Sequence, residues 1–122
     1  MSYPKMVYLV QRLYRRTDAE GMEWEETEIE GVFQAAFPEY SVRLSMQLLD
    51  GHVLGSEDYV LSIFSARGLK IEEVSDVDLA EDLADSYEVM KHLYGTARRK
   101  AMGVDQAIDL ILSCLDQDDI SS

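Results

Sequence analysis

The stretch Tyr40-Ser-Val-Arg-Leu-Ser-Met-Gln-Leu48 decides the fold class. Over these nine residues, apolar side chains alternate with Ser, Arg and Gln. That alternation is typical of a β-strand with one face buried and the other in water. Similar short runs lie on both sides of it along the chain, joined by connections too short to hold a helix. The combination predicts antiparallel pairing of consecutive strands.

Further runs of this kind are predicted to complete a meander sheet of four or five strands. Asp50-Gly51 is a strong turn signal after the first run, and the segment up to Asp58 is predicted to form a longer hairpin loop. The run that follows the loop is almost continuously apolar, which is typical of the middle of a sheet. The predicted strands are Met22–Glu30, Val32–Phe37, Tyr40–Leu48, Tyr59–Phe64 and Leu69–Val74.

The first of these runs changes phase within itself. Trp24 lies on the opposite parity to Thr27 and Ile29, although a strand places every second side chain on the same face. The sequence therefore predicts a β-bulge or a kink between Glu25 and Glu26.

Helical periodicity is found at the two ends of the chain. From Lys5 to about Thr17, and again from Leu79 to Ala101, apolar residues recur at spacings of three and four. Asp105 is a candidate cap for a last helix, whose apolar stripe is Ile108, Ile111, Leu112 and Leu115. The predicted fold is therefore α+β, with an N-terminal helix, an antiparallel meander sheet of four or five strands, and two C-terminal helices packed on one sheet face.

Length and charge limit the class of protein. The 122 residues predict one domain over 1–122, with a frayed tail at 117–122. The formal net charge of -13 argues against direct binding of nucleic acid, which requires a basic face. No apolar run approaches the ~18 residues of a membrane span, and the N-terminus lacks the apolar region of a signal peptide. A cytoplasmic protein without membrane contact is expected.

The carboxylates are concentrated in two segments. Residues 18–30 hold seven and residues 72–88 hold eight, and neither segment contains Lys or Arg. Outward side chains on a strand lie about 6.6–6.8 Å apart, so such segments can form rows of negative charge comparable to a phosphate backbone. The candidate partner-binding residues are Glu23, Glu25, Glu26, Glu28, Glu30, Asp76, Asp78, Glu81, Asp82 and Asp85.

These rows predict a small binding or regulatory protein that occupies a basic or nucleic-acid-binding site on a partner protein. Inhibitors, antitoxins or immunity proteins, and anti-defence proteins share this layout, which is common among small bacterial and phage accessory proteins. The alternative is that the charges only keep the surface solvated and pair with Arg and Lys of the helices.

A structural or regulatory subunit that forms homo-oligomers is the other class of function left open. The first helix carries aromatic residues beside its apolar stripe, and aromatic side chains outside a core are common at interfaces. If that helix does not fold back on the sheet, the contacts of a homodimer are predicted at Tyr3, Tyr8 and Tyr14.

Enzymatic chemistry has little support in the sequence. His52, His92 and Glu88 are the best candidates for a small metal-dependent enzyme, a distant third alternative, but a catalytic zinc site needs three ligands in a recognisable spacing. Ser56 lacks a nucleophile-elbow motif. Cys114 is the only cysteine and is predicted to lie partly on the packed side of the last helix as an inert thiol. No catalytic residue, metal or cofactor is predicted.

Overall fold

The computed structural model describes residues 2–48 and 57–121, with side chains as far as residue 117. It confirms the predicted α+β class. Asp50, Gly51, His52 and Ser56 lie outside the described residues. In chain order the elements are α1 (Pro4–Asp18), β1 (Glu25–Glu26), β2 (Phe33–Ala36), β3 (Tyr40–Leu48), β4 (Glu57–Ser65), β5 (Lys70–Ser75), α2 (Asp76–Leu79), α3 (Ser86–Ala101) and α4 (Val104–Ser121).

The five strands form one antiparallel meander in the order β1-β2-β3-β4-β5, as the sequence predicts. Strand β3 pairs with β4 along its whole length, from Tyr40 opposite Ser65 to Leu48 opposite Glu57. One row of cross-strand neighbours is buried from β2 to β5 and forms the centre of the core. That row consists of Phe33, Leu44, Leu61 and Val74.

The opposite face of the sheet is polar. Its central row is Gln34, Arg43, Ser62 and Glu73. Arg43 donates from Nε to Gln34 at 2.9 Å, and the Ser62 hydroxyl donates to Glu73 at 3.1 Å. The predicted dry face of β3 is confirmed only at the centre of the strand: Val42 and Leu44 are buried, whereas Tyr40, Met46 and Leu48 are 42–58% exposed.

Helices α1 and α3 cover the dry face. Both contribute buried side chains to the same core as the sheet: Val7, Val10 and Leu13 from α1, and Met90, Leu93 and Ala97 from α3. The backbone N–H of Tyr3 donates to Asp82 at 2.8 Å, and Asp18 lies 2.8 Å from His92. Because the start of α1 lies near the start of α3 and its end near the middle of α3, the two helices run in the same direction.

The first predicted strand, 22–30, is mostly not a strand. Only Glu25–Glu26 pairs with β2, and the register continues through these two residues without the predicted bulge. The chain leaves the sheet at Thr27, whose hydroxyl donates to the carbonyl of Val32 at 2.9 Å and accepts from the N–H of Ile29 at 3.1 Å. The change of phase thus marks the end of the strand, because a side-chain hydrogen bond replaces the ladder.

The predicted helix from Leu79 to Ala101 is two helices. Ser75 and Asp78 form a reciprocal capping box that starts α2, which ends after a single turn. Helix α3 then begins at Ser86, whose hydroxyl donates to the carbonyl of Asp76 at 2.7 Å and ties the two helices together.

Helix α4 follows α3 after a turn at Gly103, which has a φ of 62° that favours glycine. Every described side chain from Asp105 to Gln117 is exposed. The predicted apolar stripe is therefore present but faces solvent, and the expectation that Cys114 is partly packed is wrong. None of the helices in the described part of the chain is long and apolar enough to cross a bilayer.

Candidate partner-binding surface

Part of the first acidic segment forms an exposed corner at one edge of the sheet. Strand β1 is the edge strand, and four carboxylates on or beside it are exposed. We call these residues the acidic corner: Glu23, Glu25, Glu26 and Glu30. Within residues 2–48 and 57–121, none of the four side-chain carboxylates has a hydrogen bond or an ion pair. Their charges are therefore available to a partner.

Two aromatic side chains hold the backbone of the acidic corner in place through hydrogen bonds. Trp24 is buried and donates from Nε1 to the Thr17 hydroxyl at 3.0 Å, which fixes the corner to the end of α1. The Tyr94 hydroxyl donates to the carbonyl of Gly31 at 2.6 Å, where a φ of 82° requires glycine. A fixed backbone lowers the entropy lost when the carboxylates bind.

A cleft of about 390 Å³ adjoins the acidic corner. Glu23 and Glu25 contribute carboxylates to it, and Met22 and Phe37 contribute apolar surface. Arg16 also lines the cleft, and its guanidinium donates to the carbonyl of Gly21 at 3.4 Å. Apolar walls beside carboxylates suit the aliphatic stem and the charged head of a Lys or Arg side chain.

Glu28 belongs to the predicted set but lies in a different environment. Its carboxylate forms an ion pair with Arg43 at 2.9 Å. The hydrogen bond from Arg43 is the main reason that the pKa of Glu28 is lowered from its ordinary value. The positive charge of Arg43 offsets this carboxylate, so we leave Glu28 out of the acidic corner.

The second acidic segment lies at the other edge of the sheet. It follows β5, whereas the acidic corner is on β1, and four spacings between neighbouring strands separate these two strands. At ~4.8 Å per spacing this is about 19 Å. The fold does not bring the two predicted rows together into one surface.

Three carboxylates of the second segment have roles in the fold. Asp76 is 5% exposed and accepts from the N–H of Tyr59 at 2.7 Å. Asp78 caps α2, and Asp82 accepts from the N–H of Tyr3. The remaining two predicted residues, Glu81 and Asp85, are exposed. The sequence pattern alone does not distinguish these structural carboxylates from solvated ones.

The tyrosines predicted as dimer contacts differ in exposure. Helix α1 folds back on α3, so Tyr3 and Tyr14 are half-buried against the core. The ring of Tyr14 lies 4.9 Å from that of His92. Tyr8 is exposed and lines an apolar groove on the outer side of α1. No sequence pattern indicates this groove, because it is formed by α1 together with Met22, Phe37 and Ile63, which are distant in sequence.

The histidine candidates do not converge with other metal-binding side chains in the part of the chain that is described. His92 contacts Asp18, and no group of three His, Cys, Asp or Glu residues there is placed to hold a metal ion. His52 lies outside that part.

Glu57 lies between two tyrosine hydroxyls. Tyr87 donates to its Oε1 at 2.7 Å and Tyr59 at 3.3 Å. The hydrogen bond from Tyr87 lowers the pKa of Glu57. Conversely, the bond to Glu57 raises the pKa of Tyr87 to about 12, and burial is the main cause that raises the pKa of Tyr59 to about 12.

We expect the protein to lose stability between about pH 10 and about pH 12. The folded pKa of both tyrosines lies above the ordinary tyrosine value of 10.0, so the folded state holds protons that the unfolded state releases. The stabilisation is complete below pH 10 and is lost as the pH rises through the folded pKa. In a Glu57→Gln variant the pKa of Tyr87 should fall toward 10, while Tyr59 keeps the part of its shift that burial causes. NMR titration of isotope-labelled tyrosines measures both pKa values. The same pKa for Tyr87 in the variant and in the wild type would contradict the assignment of its shift to Glu57.

Comparison of the chain with protein-family models, curated proteins and solved structures gives no significant match.

Proposed function

We propose that this chain is a small acidic binding protein that occupies a basic or nucleic-acid-binding site on a partner protein. The observation that supports the proposal is the acidic corner, with four exposed carboxylates on a fixed backbone and no partner among the described residues. The role is binding and regulation rather than catalysis.

Association begins with electrostatic attraction. Exposed carboxylates on a strongly acidic chain accelerate encounters with a basic surface and orient them. In the complex, Lys or Arg side chains of the partner pair with the acidic corner, and one enters the cleft beside Glu23 and Glu25. The partner's basic residues are then unavailable to nucleic acid or to another acidic ligand.

This mode of action fits an inhibitor, an antitoxin or immunity protein, or an anti-defence protein. Each blocks a functional surface by occupying it. We place this activity in the cytoplasm, where a reducing environment keeps an exposed thiol such as Cys114 free.

Comparison of two triple charge reversals tests the proposal. The corner variant is Glu23→Lys/Glu25→Lys/Glu26→Lys. We expect it to recover a basic partner from native lysate at least about tenfold less well than the wild type, because three ion pairs become repulsions. Quantitative mass spectrometry of isotope-labelled samples measures the recovery of each captured protein at low and high salt.

The matched control is Glu39→Lys/Glu72→Lys/Glu88→Lys, which changes three exposed carboxylates elsewhere by the same total charge. It should retain the partner. Equal loss in both variants would mean that net charge alone drives capture. Undiminished capture by the corner variant would exclude the acidic corner as the binding site.

A second candidate function is that of a subunit acting through self-association. The specific observation that favours it is the exposed apolar face of α4.

A further inference from the structure

Helix α4 presents an apolar stripe that the described residues of its own chain leave exposed. Four residues at spacings of three, one and three form the stripe, and their exposed fractions lie between 44% and 59%. They are Ile108, Ile111, Leu112 and Leu115. An exposed apolar stripe of this length marks an interaction surface.

One edge of this stripe carries a row of carboxylates. Asp105, Asp109 and Asp116 share one side of the helix, and α4 contains no Lys or Arg. The first and last carboxylates of the row are eleven positions apart along the helix, which is about 16.5 Å at ~1.5 Å per residue.

The groove on the outer side of α1 has the complementary features. Its volume is about 470 Å³, and its apolar lining includes Met6, Leu9 and Ile63. Lys5, Arg12 and Arg16 follow one edge of the groove as a basic row. Lys5 and Arg16 are also eleven positions apart, so the basic row of α1 has the same length as the acidic row of α4.

We propose that α4 of one copy docks in the α1 groove of a second copy. The apolar stripe covers the groove, and the acidic row of α4 meets the basic row of α1. With the helices parallel, Asp105 lies opposite Lys5 and Asp116 opposite Arg16.

The position of each charged row relative to the apolar residues of its helix requires that α1 and α4 be parallel. Viewed from the N-terminus, successive residues of an α-helix turn clockwise by about 100°. On α1 the apolar groove residues Met6 and Leu9 follow the basic row in the clockwise direction. On α4 the acidic row follows the apolar stripe clockwise. When two such helices lie side by side, unlike charges meet at one edge only if the helices are parallel.

A second copy is the occupant because each chain carries both surfaces while its own α4 does not use its own groove. Asp105 is held 3.0 Å from Arg99 at the end of α3, and the rest of α4 is exposed as far as Gln117. The carboxylate of Asp105 has two oxygens and can accept from Arg99 and from Lys5 of another copy.

The net charge of the chain does not prevent this contact at physiological salt. Copies of -13 repel each other at long range. At ~0.15 M salt, charges more than about 8 Å apart are largely screened. The facing rows lie closer than this and attract.

Analytical ultracentrifugation tests the proposal. We expect the wild type to sediment as a species heavier than the 13.9 kDa chain. The Ile111→Ser/Leu115→Ser variant should sediment as a monomer. Its midpoint of thermal unfolding should equal that of the wild type at the same dilute concentration, since both side chains are exposed in the single chain. The control Leu69→Ser/Ile71→Ser removes apolar side chains of similar exposure and should remain associated.

A charge exchange tests the pairing. Asp116→Lys and Arg16→Glu should each weaken association by roughly fivefold, and the two together should restore it. A monomeric wild type, association that survives Ile111→Ser/Leu115→Ser, or failure of the double exchange to restore association would overturn the proposal. Ile111→Ser/Leu115→Ser and Asp116→Lys leave the acidic corner and its cleft unchanged, so these two variants should capture the partner as the wild type does; Arg16 lines that cleft, and its variant is used only for the association measurement.

Discussion

Leu44→Ala is expected to lower the free energy of unfolding by about 3 kcal/mol, within the ~2–5 kcal/mol range of large-to-small core substitutions. Leu44 is fully buried in β3, between Phe33 and Leu61 in the central row of the core. Neighbouring strands hold both partners, so the cavity cannot close. Urea unfolding measures the change.

The matched control for Leu44 is Leu110→Ala. Leu110 is 70% exposed and lies off the apolar stripe of α4. Its truncation should change the free energy of unfolding by less than about 0.5 kcal/mol. Equal destabilisation by the two variants would contradict the placement of α4 outside the core.

Asp76→Ala is expected to destabilise the protein by about 2 kcal/mol, because it leaves the buried N–H of Tyr59 without its acceptor. The carboxylate of Asp76 is the contact that ties the start of α2 to β4. Thermal and urea unfolding both measure this loss.

Asp85→Ala is the control within the same acidic segment. Asp85 is exposed and makes no side-chain hydrogen bond at the start of α3. Its loss should leave stability almost unchanged. If Asp76→Ala were as stable as Asp85→Ala, the structural role assigned to Asp76 would be wrong.

The sheet was predictable because its strands follow local patterns. The alternation over Tyr40–Leu48 and the short connections establish an antiparallel meander before any contact is known. The end of β1 was not predictable in the same way. Thr27 ends the strand through hydrogen bonds to Ile29 and Val32, and period-two alternation carries no information about such bonds.

Local sequence patterns were likewise not sufficient to predict the candidate sites. Helical periodicity finds the stripe of α4 but does not say whether it meets the core or solvent. Charge runs find both acidic segments, but only the strand order shows that they lie at opposite edges of the sheet. The basic row of α1 and the acidic row of α4 can be proposed to bind each other only once the structure shows that both rows are exposed.

The most direct test of the acidic corner is zero-length carbodiimide cross-linking in native lysate, which joins a carboxylate to a lysine amine in contact with it. We expect cross-linked peptides that join Glu23, Glu25, Glu26 or Glu30 to lysines of a basic partner, and their loss at high salt. Cross-links to that partner from Glu39, Glu72 or Glu88, with none from the acidic corner, would contradict the proposed function.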